Sequence, residues 1–367
     1  IGNYNQSLPD DMNEEDRDVA EAQHQSYLDQ LNNWMKDWCK HNPAFLGPNW
    51  KCGQEASIRV MHLAMAALIL EQGAKPSESL RRLILIHLER INPTTIYAIA
   101  QCNNHATSEA AALYIGGSLI GTPKGERFSR KGRELLEVQV KRLVSEDGSF
   151  SQYSLNYHRV LLDTLSMVEV WRRKTGDQEF SQTFYGRARV SSKWLRHMIN
   201  LSSGDGPNLG ANDGARLLPL TNSNYRDYRP TLQLAYTLFF NLRALVESGP
   251  WDDSLDWLKL SIPEGVADDL DHLHADQGGF AVLRREKVMA MLRYPKFSFR
   301  PSHADALHLD LWLDDVNILG LTAGASAPEH LVQRLIERLA KRRTLVIEEV
   351  PVTEEKVQFR LPLERFP

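Results

Sequence analysis

Apolar positions recur at helical spacing along most of the chain. Tyr27, Leu31, Trp34 and Trp38 predict an amphipathic helix over residues 14–40. Asn42-Pro43 through Gly47-Pro48-Asn49-Trp50 reads as a turn-rich connector. Ile58, Met61, Met65 and Leu68 mark a second helix over 54–73, which Gly73 suits as a terminus. A third opens at Ser77-Glu78 and runs through Leu83 and Leu88 to Asn92-Pro93. The pattern predicts further helices near 104–118, 128–145, 154–175, 184–201, 229–247 and 251–260. Beyond about residue 275 the period changes from helical to alternating. Residues 278–285 and 288–294 predict a hairpin around Glu286-Lys287, while Phe297-Ser298-Phe299 and His308 to Leu313 carry a half-buried strand pattern. Residues 328–342 predict a short basic amphipathic helix, and Leu345-Val346-Ile347 and Val357 to Leu361 return to strand character.

Many antiparallel helices in series bury their apolar faces in a layered or circular arrangement, and a helical toroid fits. No clear sequence period favours a solenoid. The expectation is an α+β multidomain chain: a helical domain over 1–275, then a short β domain over 276–367.

Composition narrows the function without naming it. The 367 residues carry 43 basic and 47 acidic side chains, a formal charge of −4, so no global basic field attracts nucleic acid. No apolar run reaches the ~18 residues of a membrane span. Cys39, Cys52 and Cys102 form neither a metal-spacing motif nor a disulfide framework. The opening Ile1-Gly2-Asn3-Tyr4 is neither an initiator methionine nor a signal peptide.

Four stretches concentrate chemistry. In Gln101-Cys102-Asn103-Asn104-His105-Ala106-Thr107-Ser108-Glu109, either asparagine can cap a helix, and His105 and Glu109 share a face four residues apart. The plain reading is a cap and a polar helix edge; the other is a site. Asp147-Gly148-Ser149 makes a turn into a helix with Tyr153 and Tyr157 on one face. These are either packed core rings or groove residues. Gly204 to Arg216 is too polar and glycine-rich for a simple connector, and it carries Asn212, Asp213 and Arg216. Arg226 and Arg229 follow, suited either to an anionic ligand or to local pairing with Asp213 and Asp227. In Arg300-Pro301-Ser302-His303-Ala304-Asp305-Ala306-Leu307-His308, a strand would put His303 and Asp305 on one face and His308 on the other, which splits a metal trio. His272 and His274 read as a solvated pair in an acidic segment.

Taken in this order, Asn104-His105, the Asp147-Gly148-Ser149 turn leading to Tyr157-His158, the Gly210-to-Arg216 loop and Ser302-His303-Ala304-Asp305 resemble the heparinase II/III-like family of polysaccharide lyases. The connector from Asn42-Pro43 to Trp50 is similar to the family's, and the resemblance covers roughly residues 30–320. It implies an incomplete (α/α) toroid followed by an antiparallel β-sandwich, either shortened or interrupted after Gly320, with the site between them. It also implies β-elimination at a 4-O-linked uronate of an acidic polysaccharide, and a periplasmic or secreted location.

Removing a proton α to a carboxylate builds enolate charge, so donors must first neutralise that carboxylate. Asn104 matches the family's neutralising amide, assisted by His105 and by Arg216 or Arg229. Tyr157 matches its acid–base tyrosine, whose phenolate would need stabilisation from His105 and His303. His303 matches the histidine contributed by the sandwich. Asn103, Glu109, Tyr153, Asn212, Arg216 and Arg229 complete the expected substrate-binding set. No cofactor is expected. Pro301 stands where the family often has the first histidine of His-x-His-x-Asp, and the aspartate of metal-binding members is replaced near Leu321, which argues against a structural zinc. After Gly320 the sequence leaves the family's pattern. Two rivals remain: a glycan-binding or assembly protein without catalysis, and a glycoside hydrolase using carboxylates such as Glu109 and Asp213.

Overall fold

The computed structural model describes residues 13–285, 288–299, 303–313, 329–341 and 344–347. The chain falls into two compact units, one ending at Asp315 and the other starting at Val316.

The first unit opens with ten helices: α1 (Glu14–His41), α2 (Gly53–Ile69), α3 (Glu78–Ile91), α4 (Thr95–Ala100), α5 (Asn104–Ile120), α6 (Pro123–Leu143), α7 (Leu155–Thr175), α8 (Gln182–Met198), α9 (Arg229–Phe240) and α10 (Asp253–Trp257). Side-chain caps start most of the long ones. Asn103, Thr122, Ser154 and Ser181 each accept a first-turn N–H, at 3.0, 3.2, 3.1 and 3.2 Å. Gly121 and Gly176 end α5 and α7 in the left-handed conformation.

Helix α5 is the axle of the core. Fifteen of its 17 residues are buried, and a helix apolar on every side must be enclosed by others. It packs against α2, α3, α6 and α7. Against α6 the backbones themselves meet. A Cβ on Gly132 would run into the Tyr114 nitrogen, and one on Gly117 would lie 2.5 Å from the Gly125 oxygen.

Four antiparallel strands follow in the order β1 (Leu273–Ala275), β2 (Phe280–Arg285), β3 (Val288–Arg293) and β4 (His308–Leu313). Val282 pairs with Met291, and Met289 with Trp312. Phe280, Val282, Met289 and Met291 form the buried face. Polar clasps hold the sheet to the helices. Arg284 donates to the His197 carbonyl at 2.8 Å and also to the Ile199 carbonyl, both otherwise open at the end of α8. Gly278 N–H donates to Asp147 at 2.9 Å, and Ser298 N–H donates to the Tyr153 hydroxyl at 2.7 Å.

The sequence expectations meet this structure unevenly. The hairpin forms with Arg285 opposite Val288, although its turn at Glu286-Lys287 lies outside the described residues. Phe297-Ser298-Phe299 is not a strand: it is bent to bring its N–H groups onto Tyr153. Residues 303–307 are not a strand either, because Asp305 and Leu307 turn at φ 47° and 61° before β4 begins at His308. The helix expected over 229–247 stops at Phe240, where Asn241 adopts φ 56°. Helix α4 and strand β1 were not expected. The change from helix to strand falls between α10 and β1, whereas the compact units divide after Asp315.

In the second unit, α11 (Glu329–Ala340) stands where the basic amphipathic helix was expected. Residues 344–347, including Leu345, Val346 and Ile347, have no regular structure. Pro301, Leu321 and the expected strand from Val357 to Leu361 lie outside the described residues. Among the described residues no helix is long and apolar enough to cross a membrane.

Candidate functional site

The N-termini of α5 and α7 lie side by side, and Gln152 joins them. Its side-chain oxygen accepts the Asn104 N–H at 2.9 Å, five residues before Tyr157. Cys102 turns the chain into α5 at φ 53°, and Asn103 is the cap, accepting the His105 N–H at 3.0 Å. Asn104 is thereby released from capping. It is 5% exposed, and its side-chain amide makes no hydrogen bond among the described residues.

His105 lies over Glu109. Its Nδ1 is 3.9 Å from Glu109 Oε1 and 3.5 Å from the Gln101 amide nitrogen, and Nε2 has no described partner. Burial pushes the His105 imidazole below its ordinary range, which favours the neutral ring. Glu109 lies deeper, at 3% exposure, against the start of α2, where a Cβ on Gly53 would meet its Oε1 at 2.5 Å. Burial raises its carboxyl to about 7, partly offset by the charge of Arg90. Its Oε2 is buried without a partner. Glu109, expected among the substrate-binding residues, thus lies buried behind His105.

Tyr157 is half-buried, and its hydroxyl donates to Asp213 Oδ2 at 2.7 Å. Its pKa is driven well above the ordinary phenol range, first by burial and then by the hydrogen bond and charge of Asp213. The expected phenolate stabiliser would be positive; the group found is negative.

The loop carrying Asp213 is gripped by the first turns of α7. Ser154 donates to the Ala211 carbonyl at 2.5 Å, and the Asn156 amide to the Asn212 carbonyl at 2.5 Å. Arg159, which is 2% exposed, donates to the Ala215 carbonyl at 2.9 Å and the Tyr225 carbonyl at 2.5 Å. Its guanidinium lies 4.6 Å from the Tyr225 ring centre. Asn212 spends its side-chain oxygen on Gly214 N–H at 3.1 Å and on the Tyr225 hydroxyl at 2.5 Å.

The other sequence candidates are placed as follows. Tyr153 is buried, and its hydroxyl receives Ser298 N–H. Arg216 is half-buried and donates to the Ser223 carbonyl at 3.1 Å. Arg229 forks onto both oxygens of Asp227 at 2.9 Å, and its guanidinium lies 4.1 Å from the Trp251 ring centre. That arginine is paired locally, as the plain reading of the motif had it. His303 is exposed and makes no described contact with Asn104, His105 or Tyr157. Two residues on, Asp305 accepts Gly210 N–H at 2.6 Å, which anchors the segment to the glycine-rich loop. Gln152, Arg159 and Tyr225 were absent from the sequence candidates. Gln152 and Arg159 lie within three residues of motif positions, but nothing in their types marks them as bridges. No group of three potential metal ligands occurs among the described residues.

A family model described as the heparinase II/III N-terminus matches residues 15–229. Among solved structures, a heparan sulfate lyase HepC mutant from Pedobacter heparinus superposes with a TM-score of 0.50 at 16% identity, covering 83% of this chain and 47% of that one. A heparinase III gene product gives 0.51 at 16% identity, with 83% and 49% covered. The chain thus spans about half the length of these structures, and the likeness is one of fold: an incomplete toroid joined to an antiparallel sheet. A separate similarity is short. The 4-hydroxy-3-methylbut-2-enyl diphosphate reductase of Zymomonas mobilis is 45% identical over 60 residues, 16% of this chain and 18% of the reductase. That of Gluconobacter oxydans is 56% identical over 50 residues, 14% and 15% respectively.

Proposed function

The chain belongs to the heparinase II/III family, and on that premise we propose that it is a polysaccharide lyase cleaving an acidic, uronate-containing polysaccharide by β-elimination. The observation that carries the proposal is the junction at Gln152, which brings the free amide of Asn104, the imidazole of His105 and the hydroxyl of Tyr157 to two adjacent helix N-termini. A uronate carboxylate there meets an amide donor and the positive ends of two helix dipoles, which lowers the cost of enolate charge. His105 Nε2 and Tyr157 Oη are the groups left to handle protons. His303 is the further candidate, carried on the segment that Asp305 ties to Gly210. A substrate of this kind suits a periplasmic or secreted enzyme.

The hydrolase reading is weaker, because Glu109 is buried beneath His105 and cannot flank a glycosidic bond. The test is incubation with alginate, heparan sulfate, hyaluronan and bacterial acidic exopolysaccharides, following the ultraviolet absorbance of an unsaturated uronate. Signal on at least one glycan is expected, falling at least about 100-fold in Tyr157→Phe. A new reducing end without a double bond would instead select the hydrolase, and glycan binding without turnover would select the non-catalytic reading.

A further inference from the structure

A tyrosine serving as base must lose its own proton, and one serving as acid must regain it. At Tyr157 a free phenolate is disfavoured, because its hydroxyl lies half-buried against a carboxylate. That hydroxyl already points at an acceptor, Asp213 Oδ2, 2.7 Å away. We infer that Asp213 is the proton holder behind Tyr157, a positioning residue through which the tyrosine both takes and returns a proton without becoming an anion. The inference rests on the lyase reading.

The step balances without any further reactant. The C5–H bond breaks and its proton passes to Tyr157 Oη, while the phenolic proton passes to Asp213 Oδ2. The electron pair left at C5 forms the C4=C5 double bond as the C4–O4 bond breaks. O4 carries away that bond's pair and takes a proton from Tyr157 Oη, and Asp213 returns its proton to the tyrosine. The net change is one proton moved from C5 to O4, and both residues end as they began. Carboxylates serve as bases for protons on carbon where donors stabilise the enolate, which is the role Asn104 plays here.

The loop is built to hold this geometry. Asp213 sits at φ 52° in a turn closed by the Asn212 side chain. Ser154, Asn156 and Arg159 fasten the flanking carbonyls of Ala211, Asn212 and Ala215, and all three belong to the cap and first turns of the helix that carries Tyr157. Donor and acceptor are thus fixed to one rigid element, which is how a proton path is kept at hydrogen-bond length. Tyr225, the other titratable side chain beside the pair, is turned away onto Asn212 and Asn156.

The experiment compares wild type, Asp213→Asn, Asp213→Glu and Asp213→Ala on the glycan panel, with melting temperature recorded for each. Given an active wild type, Asp213→Asn should lose about 100-fold or more in kcat with KM changed less than about threefold. Asp213→Glu should recover at least about tenfold over Asp213→Asn, and added formate should raise the turnover of Asp213→Ala. An Asp213→Asn enzyme within about threefold of wild-type kcat overturns the inference and leaves the lyase reading standing. A loss that neither glutamate nor formate relieves also overturns it, since Asp213 would then only shape the loop. A wild type that forms no unsaturated product on any glycan overturns both.

Discussion

Glu109 lies between His105 and the first residue of α2 with one oxygen bare of any partner. Its carboxyl titrates at about 7 in the folded chain against an ordinary glutamate value of 4.5, because burial penalises the charged form. The folded state therefore holds this proton more tightly than the unfolded chain does. Stability is undiminished below pH 4.5 and falls as pH rises through the window to 7. Above that window the ionised carboxylate costs on the order of 3 kcal/mol. Glu109→Gln removes the titration, so its melting temperature should exceed the wild type's by at least about 2 °C at pH 8 and match it near pH 4. An equal difference at both pH values would refute the assignment. The sequence put His105 and Glu109 on one face correctly, but it could not show which of the two met solvent. Nor could it decide between Asn103 and Asn104 as the cap. That choice depends on the left-handed turn at Cys102 and on Gln152, 48 residues away. Likewise the sign of the charge beside Tyr157 is a property of loop geometry: Asp213 was visible as an acid, not as the tyrosine's partner.

Helices were readable where each depends on its own few residues, as with Ser77 capping α3 and Ser154 capping α7, whereas Pro123 opens α6 five residues before the expected start at 128. Helix α4 was missed because Asn92-Pro93 reads as a stop, whereas the proline sits in a short 3-10 turn that leads straight into it. The long reading of α9 failed for the reverse reason, since Asn241 ends it with neither glycine nor proline to mark the place. How helices meet was not readable at all. The glycines between α5 and α6 look like helix-weakening residues in sequence. Yet the backbone of Tyr114 lies directly against Gly132, and a Cβ there would sit 2.6 Å from the Ala110 carbonyl oxygen. Gly132→Ala must therefore push α5 and α6 apart and should cost about 3 kcal/mol in chemical denaturation. Gly186 in α8 makes the matched control, because nothing lies within 4 Å of a Cβ built there. Gly186→Ala should stabilise by about 0.5–1 kcal/mol, since alanine loses less backbone freedom in a helix. If both substitutions moved stability the same way, close packing would not be the reason for Gly132.

At the scale of the whole molecule, the sequence marks a change of element type near residue 275, but the first compact unit continues to Asp315. The difference comes from contacts that no local pattern encodes. Arg293 has no exposure, and among the described residues no carboxylate is hydrogen-bonded to it. Its guanidinium donates instead to the carbonyls of Gly278, Gly279 and Tyr294 at 2.5, 2.9 and 2.7 Å, and it lies 4.8 Å from the Tyr153 ring centre. The same tyrosine hydroxyl receives Ser298 N–H, and Asp305 holds the loop of Gly210. These contacts tie the sheet region to Tyr153, four residues before Tyr157, and to Gly210 in the loop that carries Asp213. A chain ended after Asp315 should keep one cooperative melt within about 3 °C of the full chain, a shift of roughly 1 kcal/mol or less. A chain ended after Asp271 removes Arg284, Arg293 and the buried face of the sheet together. It should lose cooperative melting or fall by at least about 10 °C, and lose the proposed lyase activity with it. Measured by calorimetry on both truncations, a helical region that melts unchanged without its sheet would show that the clasps are superficial and that the sheet is a separate body.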